Sequence, residues 1–205
     1  MKLTMRAYEA SDFWKIRAFL RETFLLNGRE ETNWQAYRFE YWVWHGVANL
    51  DQGPLEEKVF LWETPDGALA TVLNAEGKGD NRADVTWYRS IQKAPLYRRD
   101  LDIVAVAPDG AVASFCTIWF DDITLTAACE PVATSPAHQR KGLARACIHE
   151  GLRRAKEMGA TLGFVGSGEE GAHRCYASAG FKDYSISRQW VKEVQDAPGV
   201  RNQAV

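Results

Sequence analysis

A short basic segment at residues 139–145, QRKGLAR, has the composition of a turn that binds an anion. Gly142 and Ala144 are small, so a bulky anion can approach the backbone N–H groups there. If a helix begins at this point, its dipole favours negative charge in the same place. Three basic side chains add positive charge where it is ordinarily unfavourable to a helix: Arg140, Lys141 and Arg145. The segment therefore predicts either a phosphate site or a tight strand-to-helix turn with solvated basic side chains.

A single carboxylate, Glu130, interrupts an otherwise apolar run, TAACEPV at residues 126–132. A charged side chain in such a strand must be paired, solvated in a cleft, or protonated. Burial would raise its pKa, which suits a general base working near neutral pH. Pairing with an arginine would instead give it a structural role. The residues alone leave both interpretations open.

The elements that must position these residues follow a regular order in the C-terminal half. In that order we predict strands at 101–106, 111–120 and 123–134, a helix at 143–158, a strand at 161–165, a helix at 171–179 and a strand at 181–191. Pro108-Asp109-Gly110 is a turn signal between the first two strands, and Gly159 is a helix-ending residue. The order predicts a mixed α/β fold, a central mixed sheet flanked by helices.

The N-terminal half contains the same hairpin signal. PDGALATVL at 65–73 is repeated as PDGAVASFC at 108–116, and an aromatic helical segment precedes each copy. This repeat suggests a duplicated half-domain, although chance reuse of a common turn would give the same pattern. Five further segments are predicted: a strand at 3–8, a helix from Ser11 or Asp12 to Leu26, aromatic helices at 33–48 and about 84–97, and a linker at 76–82.

The composition excludes several classes of protein. With 46% hydrophobic residues and a net charge of −2, the 205-residue chain is not intrinsically disordered. The balance of 25 Lys+Arg against 27 Asp+Glu argues against nucleic acid as a partner. No run approaches the roughly 18 apolar residues of a membrane span, and no signal peptide is evident, so we expect a cytoplasmic protein without a membrane partner.

The cysteines and histidines give no metal-binding pattern. Four cysteines are scattered without C-x-x-C spacing: Cys116, Cys129, Cys147 and Cys175. The four histidines do not pair with them at zinc spacing. We therefore expect no metal, and reduced thiols that act as small hydrophobic side chains.

Residues 101–184 resemble the GNAT superfamily of acyl-CoA-dependent N-acyltransferases. The family signature, Gln/Arg-x-x-Gly-x-Gly/Ala at the start of a helix, is matched by Gln139, Gly142 and Ala144. An upstream Pro136 and a downstream Tyr176-x-x-x-Gly180-Phe181 extend the match. The resemblance implies the GNAT fold and activity as an acyltransferase.

The resemblance also implies a division of the chain. Residues 81–195 are expected to form the acetyl-CoA-binding catalytic domain, residues 1–80 a partial GNAT-like half, and residues 196–205 a frayed tail. The arrangement looks like a shortened version of two-copy members similar to mycothiol synthase, which have one working and one degenerate half.

In such a protein acetyl-CoA has a definite position as cosubstrate. Its pyrophosphate would lie on the N–H groups of residues 140–144, and its pantetheine arm would pair with a strand edge. The implied binding residues are Val132, Ala133, Thr134, Gln139, Arg140, Lys141, Gly142, Leu143, Ala144 and Arg145. Glu169 stands where family members often carry Asn, and a carboxylate is a poorer partner for the pantetheine amides.

Two residues are candidates for catalysis within this resemblance. Tyr176 would protonate or stabilise the departing thiolate, or it is a core tyrosine whose hydroxyl bonds to the backbone. Glu130 would deprotonate the amine directly or through water, although family members share no fixed base position. Three aromatic residues are expected to bind the amine by cation–π contact, or else to form core: Trp42, Trp87 and Tyr88.

The sequence therefore predicts an N-acetyltransferase that moves acetyl from acetyl-CoA to a primary amine of a small molecule in a ternary complex. A non-catalytic acyl-CoA-binding or regulatory module is the alternative, and an α/β interaction domain without a cofactor is a third. A homodimer is also expected, because the aromatic N-terminal half is rich in apolar surface.

Overall fold

The computed structural model describes residues 2–30, 34–47, 54–74 and 85–185. The strands are β1 Thr4–Ala7, β2 Val59–Glu63, β3 Leu69–Asn74, β4 Asp102–Val106, β5 Val112–Asp121, β6 Thr126–Thr134 and β7 Leu162–Phe164. The helices are α1 Asp12–Leu26, α2 Ala36–Tyr41, α3 Val85–Ile91, α4 Leu143–Glu157 and α5 Glu170–Ser178. A π-helical segment, Trp42–Val47, continues α2.

The N-terminal elements form an antiparallel sheet in the order β1-β2-β3, with α1 and α2 packed against it. The apolar face of α1 recurs at three- and four-residue steps, and Phe13, Ile16 and Leu20 are buried as that spacing predicts. Strand β1, helix α1 and the first hairpin are thereby confirmed. The predicted linker at 76–82 and the predicted tail at 196–205 lie outside the described residues.

The C-terminal elements form a mixed sheet in the order β4-β5-β6-β7. The first three strands are antiparallel, and β7 pairs parallel to β6. A parallel neighbour needs a crossover connection, and α4 is that connection. The mixed α/β fold class is confirmed.

Two strand predictions need correction. The strand expected from Ile123 begins only at Thr126, because the Asp121 carboxylate accepts the N–H groups of Ile123 and Thr124 and holds a turn there. The described part of the final predicted strand, residues 181–185, belongs to no strand. Side chains hold it instead: the Tyr184 ring lies 5.5 Å from Phe164, and its hydroxyl donates to the Arg29 carbonyl at 2.6 Å.

The C-terminal sheet has a different core on each face, because side chains alternate along a strand. Ile118 and Cys129 face α4, where Ile148 and Ala155 complete an aliphatic core. On the opposite face Trp119, Ala128 and Phe164 pack with Phe24 of α1 and with Ala36 and Tyr41 of α2. The N-terminal helices therefore cover one side of the sheet.

Buried polar contacts, one of them an ion pair, connect the N-terminal helices to the C-terminal half. Glu40 of α2 is completely buried and accepts from Arg17 Nε at 2.5 Å and from the Leu96 N–H at 2.8 Å. Arg21 of α1 donates to Asp121 at the end of β5, at 2.8 Å. Burial raises the pKa of Glu40, since its carboxylate has left water, while these donors oppose the shift.

Candidate active site

An opening between β6 and β7 is the main feature of the C-terminal sheet. Their pairing covers only Thr126–Ala128 against Leu162–Phe164. Beyond it, β6 continues to Thr134 and pairs with β5 alone among the described residues. Those backbone groups of residues 131–134 that bond neither to β5 nor to the Gln139 side chain therefore remain available to an extended ligand.

The turn into α4 lies at the end of this opening. Gly142 precedes the helix with φ 78° and Arg140 has φ 59°, so the chain turns through two left-handed positions. Among the described residues, no acceptor takes a hydrogen bond from the backbone N–H groups of residues 140–145. Six successive donors and the positive end of the helix dipole therefore point to the same kind of ligand, an anion.

The side chains of the turn strengthen this field. Gln139 Nε2 donates to the Thr134 carbonyl at 3.4 Å, which ties the turn to the end of β6. Lys141 Nζ donates to the Ala137 carbonyl at 3.1 Å. Arg140 and Arg145 are exposed, and the first turn of α4 contains no acidic residue. The turn is therefore positive without a local counter-charge among the described residues.

Tyr176 of α5 packs on the same face of the sheet as α4. It is half-buried, and its ring centroid lies 6.3 Å from that of Phe181. Burial, with smaller contributions from Cys129 and other nearby groups, raises the pKa of Tyr176 to about 12. The phenol is therefore protonated at neutral pH, and no described residue forms a hydrogen bond with its hydroxyl.

Glu130 lies where β6 carries an extra residue relative to β5, since Ile118 opposes Cys129 while Cys116 opposes Val132. Its carboxylate accepts from Arg38 Nη1 of α2 at 2.5 Å, and its backbone carbonyl accepts from the Trp119 indole. The side chains of Glu130 and Arg38 are 26% and 42% exposed. Glu130 is therefore paired with an arginine, as one of the two interpretations of its sequence expected. Its role as a general base stays a prediction.

Sequence reasoning missed Arg38. It is the only basic residue in the aromatic helix at 34–44, and that isolation was the available signal. Its guanidinium carbon lies 5.9 Å from the centroid of the Trp34 ring. The aromatic neighbours of the Glu130 region are thus Trp34, Trp119 and Tyr41, whose ring lies 5.9 Å from that of Trp119.

The three predicted substrate-binding aromatics are placed differently. Trp42 is buried in the N-terminal core, and its indole N–H forms no hydrogen bond with any residue that the structure describes. The Tyr88 hydroxyl bonds to the Asp102 carboxylate, which also accepts from Tyr97 at 2.7 Å. The side chain of Trp87 lies outside the described residues. The structure does not bring these rings together around Glu130.

Cysteines and histidines supply no metal site in the described ranges. Cys116, Cys129 and Cys147 are buried free thiols, and Cys175 is half-buried. No group of three or more His, Cys, Asp or Glu side chains there is arranged to hold a metal ion.

Of the helices that the structure describes, none has the length and apolar character needed to cross a membrane.

Residues 60–181 match the sequence profile of the acetyltransferase (GNAT) family. No curated protein matches the chain. Among solved structures, the aminoglycoside N-acetyltransferase AAC(6')-Iy in complex with CoA is 17% identical, with a TM-score of 0.39 over 44% of this chain and 74% of that chain. Glucosamine-6-phosphate N-acetyltransferase from Arabidopsis thaliana is 13% identical, with a TM-score of 0.36 over 94% of this chain and 100% of that chain. A transcriptional regulator from Bacillus halodurans C-125 is 15% identical, with a TM-score of 0.44 over 93% of this chain and 100% of that chain.

These structural scores are low, so the assignment rests on the profile, which spans more than half of the chain and includes the α4 turn and Tyr176. The protein is therefore a member of the acetyltransferase (GNAT) family and an N-acetyltransferase.

Proposed function

We propose that the protein transfers acetyl from acetyl-CoA to a primary amine of a small molecule, by direct attack in a ternary complex. The observation that carries this proposal is the row of N–H groups at residues 140–145 that bond to no described residue, beside the open edge of β6. Such a row fits a pyrophosphate, and an unpaired strand edge fits the amides of a pantetheine arm.

The proposed cosubstrate site follows the chain from β6 into α4. Val132, Ala133 and Thr134 offer backbone groups to the pantetheine arm, and Gln139 keeps the turn against that strand. The N–H groups of Arg140, Lys141, Gly142, Leu143 and Ala144 bind the pyrophosphate, with the side chains of Arg140, Lys141 and Arg145 adding charge. Position 142 requires glycine because its backbone is left-handed. Any other residue would strain the backbone there, even though space for a side chain is available.

In the proposed reaction the ammonium group of the acceptor loses a proton to Glu130, directly or through water, and the neutral nitrogen attacks the thioester carbonyl. The nitrogen gives up its second proton to solvent as the amide forms. The C–N bond forms, the C–S bond breaks, and the electron pair leaves on the CoA sulfur. Binding both reactants on one protein replaces a bimolecular encounter with a step inside one complex. No covalent intermediate with the protein is needed.

The raised pKa of Tyr176 defines its proposed role more closely. A phenol with a pKa of about 12 is a weaker acid than an ordinary thiol, whose pKa is about 8.5. Complete proton transfer to the thiolate would therefore be uphill. Tyr176 instead donates a hydrogen bond to the developing negative charge on sulfur, and the thiolate takes its proton from solvent.

Three finer predictions belong with this proposal. Trp42, Trp87 and Tyr88 stay candidates for amine binding, although Trp42 would need to open from the core to touch a ligand. The division at residues 80 and 81 also stays a prediction, as does the homodimer. Exposed apolar side chains at Val104, Val106 and Val112 give β4 and β5 a surface that suits a second copy.

A glycine pair tests the cosubstrate site. Gly142 and Gly110 both have positive φ, 78° and 86°, and a Cβ added at either meets no atom within 4 Å. Gly142→Val and Gly110→Val should therefore impose similar backbone strain. Only Gly142→Val should abolish the rise in melting temperature that acetyl-CoA gives to the wild type.

Release of CoA in the presence of a panel of small primary amines tests the activity. We expect turnover by the wild type and by Gly110→Val, and little by Gly142→Val. An unchanged acetyl-CoA dissociation constant in Gly142→Val would remove the turn from the cosubstrate site. Tight binding of acetyl-CoA without CoA release on any amine would support the binding module instead.

A further inference from the structure

Resting on the proposed function, we propose that Trp119 is the positioning residue of Glu130. Its indole N–H donates to the backbone carbonyl of Glu130 and thereby fixes the part of β6 from which the proposed base projects. The observation behind this is a side-chain hydrogen bond at the place where the pairing of β5 with β6 is interrupted. Trp119 is 1% exposed, so it acts through Glu130 and not on a reactant.

The backbone of Glu130 lies in a β-bulge. Two residues of β6, Glu130 and Pro131, oppose the single residue Thr117 of β5. A bulge interrupts the ladder of hydrogen bonds and bends the strand. Pro131 has no N–H to contribute to that ladder. Strand pairing alone therefore holds Glu130 less firmly than it holds the residues on either side, and a further donor is needed to define its position.

Packing holds that donor in one place. Trp119 belongs to the core between the C-terminal sheet and the N-terminal helices. Its ring makes edge-to-face contacts with Tyr41 of α2 and with Tyr97, at centroid distances of 5.9 and 6.3 Å. The Tyr97 hydroxyl in turn donates to Asp102 at 2.7 Å. The indole N–H is thus a fixed point, and its bond to the Glu130 carbonyl ties the bulge to the core.

The side of the sheet on which the Glu130 carboxylate lies depends on this bulge. Successive side chains of a strand point to opposite faces, so a shift of the bulge by one residue would turn side chains over. Glu130 projects towards α2, while the preceding Cys129 faces the aliphatic core under α4. A charge in that core would be costly. Holding the carbonyl therefore keeps the carboxylate on the side of the sheet where the proposed base can work.

The bond also has a simpler explanation, because a buried indole N–H needs an acceptor for stability alone. The two explanations differ in what the bond does for the reaction. A bond that serves stability alone affects the melting temperature and has no link with the contribution of Glu130 to kcat. A positioning bond lowers kcat when it is lost, and only while Glu130 is present.

Removal of the donor tests the proposal. Trp119→Phe keeps an aromatic ring and loses the N–H. With an amine that the wild type accepts, kcat for CoA release should fall roughly 10-fold, since misplacing a catalytic group by about 1 Å costs up to about 10²-fold. The KM for acetyl-CoA should change little, because residues 132–134 stay paired with β5.

Phe24→Leu is the packing control for Trp119→Phe. Phe24 is 1% exposed in the same core, where its ring packs on that of Phe164 at 6.1 Å. This variant should lower the melting temperature, because it removes buried apolar volume. It should leave kcat unchanged.

Combination with Glu130→Gln separates positioning from packing. Glu130→Gln keeps the size of the side chain and removes the base, so kcat should fall by roughly 10²-fold or more. In that background Trp119→Phe should lower kcat no further, because residues that act as one unit are not additive. An additive fall would show that Trp119 supports the reaction in some other way and would overturn the proposal.

A second replacement removes the donor without changing the packing, and it decides the question if Trp119→Phe does not fold. β-(3-Benzothienyl)alanine at position 119 keeps the shape of the fused rings and has sulfur in place of the N–H. The same analogue at position 62 is its control, since Trp62 is a half-buried residue of β2. We expect kcat to fall with the analogue at position 119 and to stay at the wild-type value with the analogue at position 62.

The remaining outcomes separate this inference from the proposed function. Wild-type kcat with the analogue at position 119 would overturn the inference and leave Glu130 as the proposed base. Wild-type kcat in Glu130→Gln would overturn the base role of Glu130, and this inference with it, while leaving acetyl transfer intact. Failure to release CoA with any amine would overturn the proposed activity itself.

Discussion

The two halves of the molecule contain the same hairpin, but only one of them continues into the proposed cosubstrate site. Gly67 and Gly110 occupy matching turns, with φ of 82° and 86°. The bonds that close the turns, Thr64 N–H to Ala68 and Ala107 N–H to Ala111, are 2.9 and 2.8 Å. The hairpin is therefore a scaffold common to both halves, and the chemistry depends on what surrounds it.

The beginnings of two helices show the difference. Helix α1 begins with Asp12, which accepts the Glu9 N–H at 2.8 Å and two bonds from Arg6 at 2.6 and 2.7 Å. A carboxylate at this position satisfies the helix dipole from within the protein. Helix α4 begins after Gly142, with no acid in its first turn, and the N–H groups at its start bond to no residue in the described part of the chain. A helix terminus left without its own acid is available to a ligand.

The hydrophobic cores of the two halves also differ, in the kinds of side chain that fill them. The N-terminal core is built on rings, with Phe13 stacked on Phe39 at 5.4 Å. The C-terminal core uses small and aliphatic residues, and α4 approaches β5 so closely at Gly151 that an added Cβ would lie 2.5 Å from Ile118. Close packing of α4 on the sheet fixes the position of the helix, whose N-terminus lies at the open edge of β6.

The largest expected effect concerns catalysis in the C-terminal half. Tyr176→Phe removes one hydroxyl and keeps the ring, so acetyl-CoA binding and the melting temperature should stay near those of the wild type. If the hydroxyl stabilises the thiolate, kcat should fall by roughly 10²-fold with little change in KM. Steady-state kinetics and thermal melts on the same preparation measure both.

Tyr8→Phe provides the control from the other half, because Tyr8 is a buried tyrosine of the N-terminal core. It should leave kcat unchanged. Wild-type kcat in Tyr176→Phe, with a loss of about 1 kcal/mol of stability, would instead make Tyr176 a core residue.

A smaller effect tests the close approach of α4. Gly151→Ala should lower the free energy of unfolding by about 1–3 kcal/mol, because the new methyl group displaces Ile118 and overpacks the core. Gly171→Ala, in α5 with open space around it, should gain up to about 1 kcal/mol from helix propensity. Urea unfolding of both variants gives the comparison, and equal stabilisation by both would refute the close approach.

The smallest effect concerns acid sensitivity in the N-terminal half. Bonds from Arg6 lower the pKa of Asp12, and bonds from Arg6 and Lys15 lower that of Glu63 to about 2. A lowered pKa stabilises the folded state above the unfolded value of about 4, and this stabilisation is lost as the pH falls towards 2. Arg6→Met should therefore be less stable at pH 7 and should lose less on acidification than the wild type.

The exposed ion pairs of Glu150 on α4 serve as the reference for that experiment. Arg153 and Arg154 lower the pKa of Glu150 to about 2, but on an exposed helix face. Solvent screens such a pair, so Arg153→Met should change the pH profile less. Parallel melting profiles for wild type and Arg6→Met between pH 7 and 2.5 would show that the Arg6 network contributes nothing.

Much of the fold was predictable because its signals are local. The Pro-Asp-Gly turns, the face of α1 and the end of α4 at Gly159 each depend on a few neighbouring residues. The predicted start of β6 at Ile123 was wrong because apolar composition does not reveal that Asp121 holds a turn. The start of a strand depends on such a hydrogen bond more than on hydrophobicity.

The candidate site also contains residues that the sequence could predict and residues that it could not. The turn at residues 139–145 could be read from the sequence, because glycine, basic residues and a following helix form one continuous segment. The aromatic residues could not be assigned, because burial decides their role. Trp42 lies in the core and Trp34 lies beside Arg38, and the sequence of the helix shows rings on several faces.

By itself, then, the sequence determined most of the elements, the proposed anion-binding turn and the family signature, since each rests on interactions within one segment. Only the tertiary structure decided that Arg38 meets Glu130, 92 residues away, and that β6 separates from β7 after three paired residues. Those features depend on how α2 packs over the sheet and on where α4 brings the chain back. Contacts of that range have no local signal, because the residues that make them are neighbours only in the folded chain.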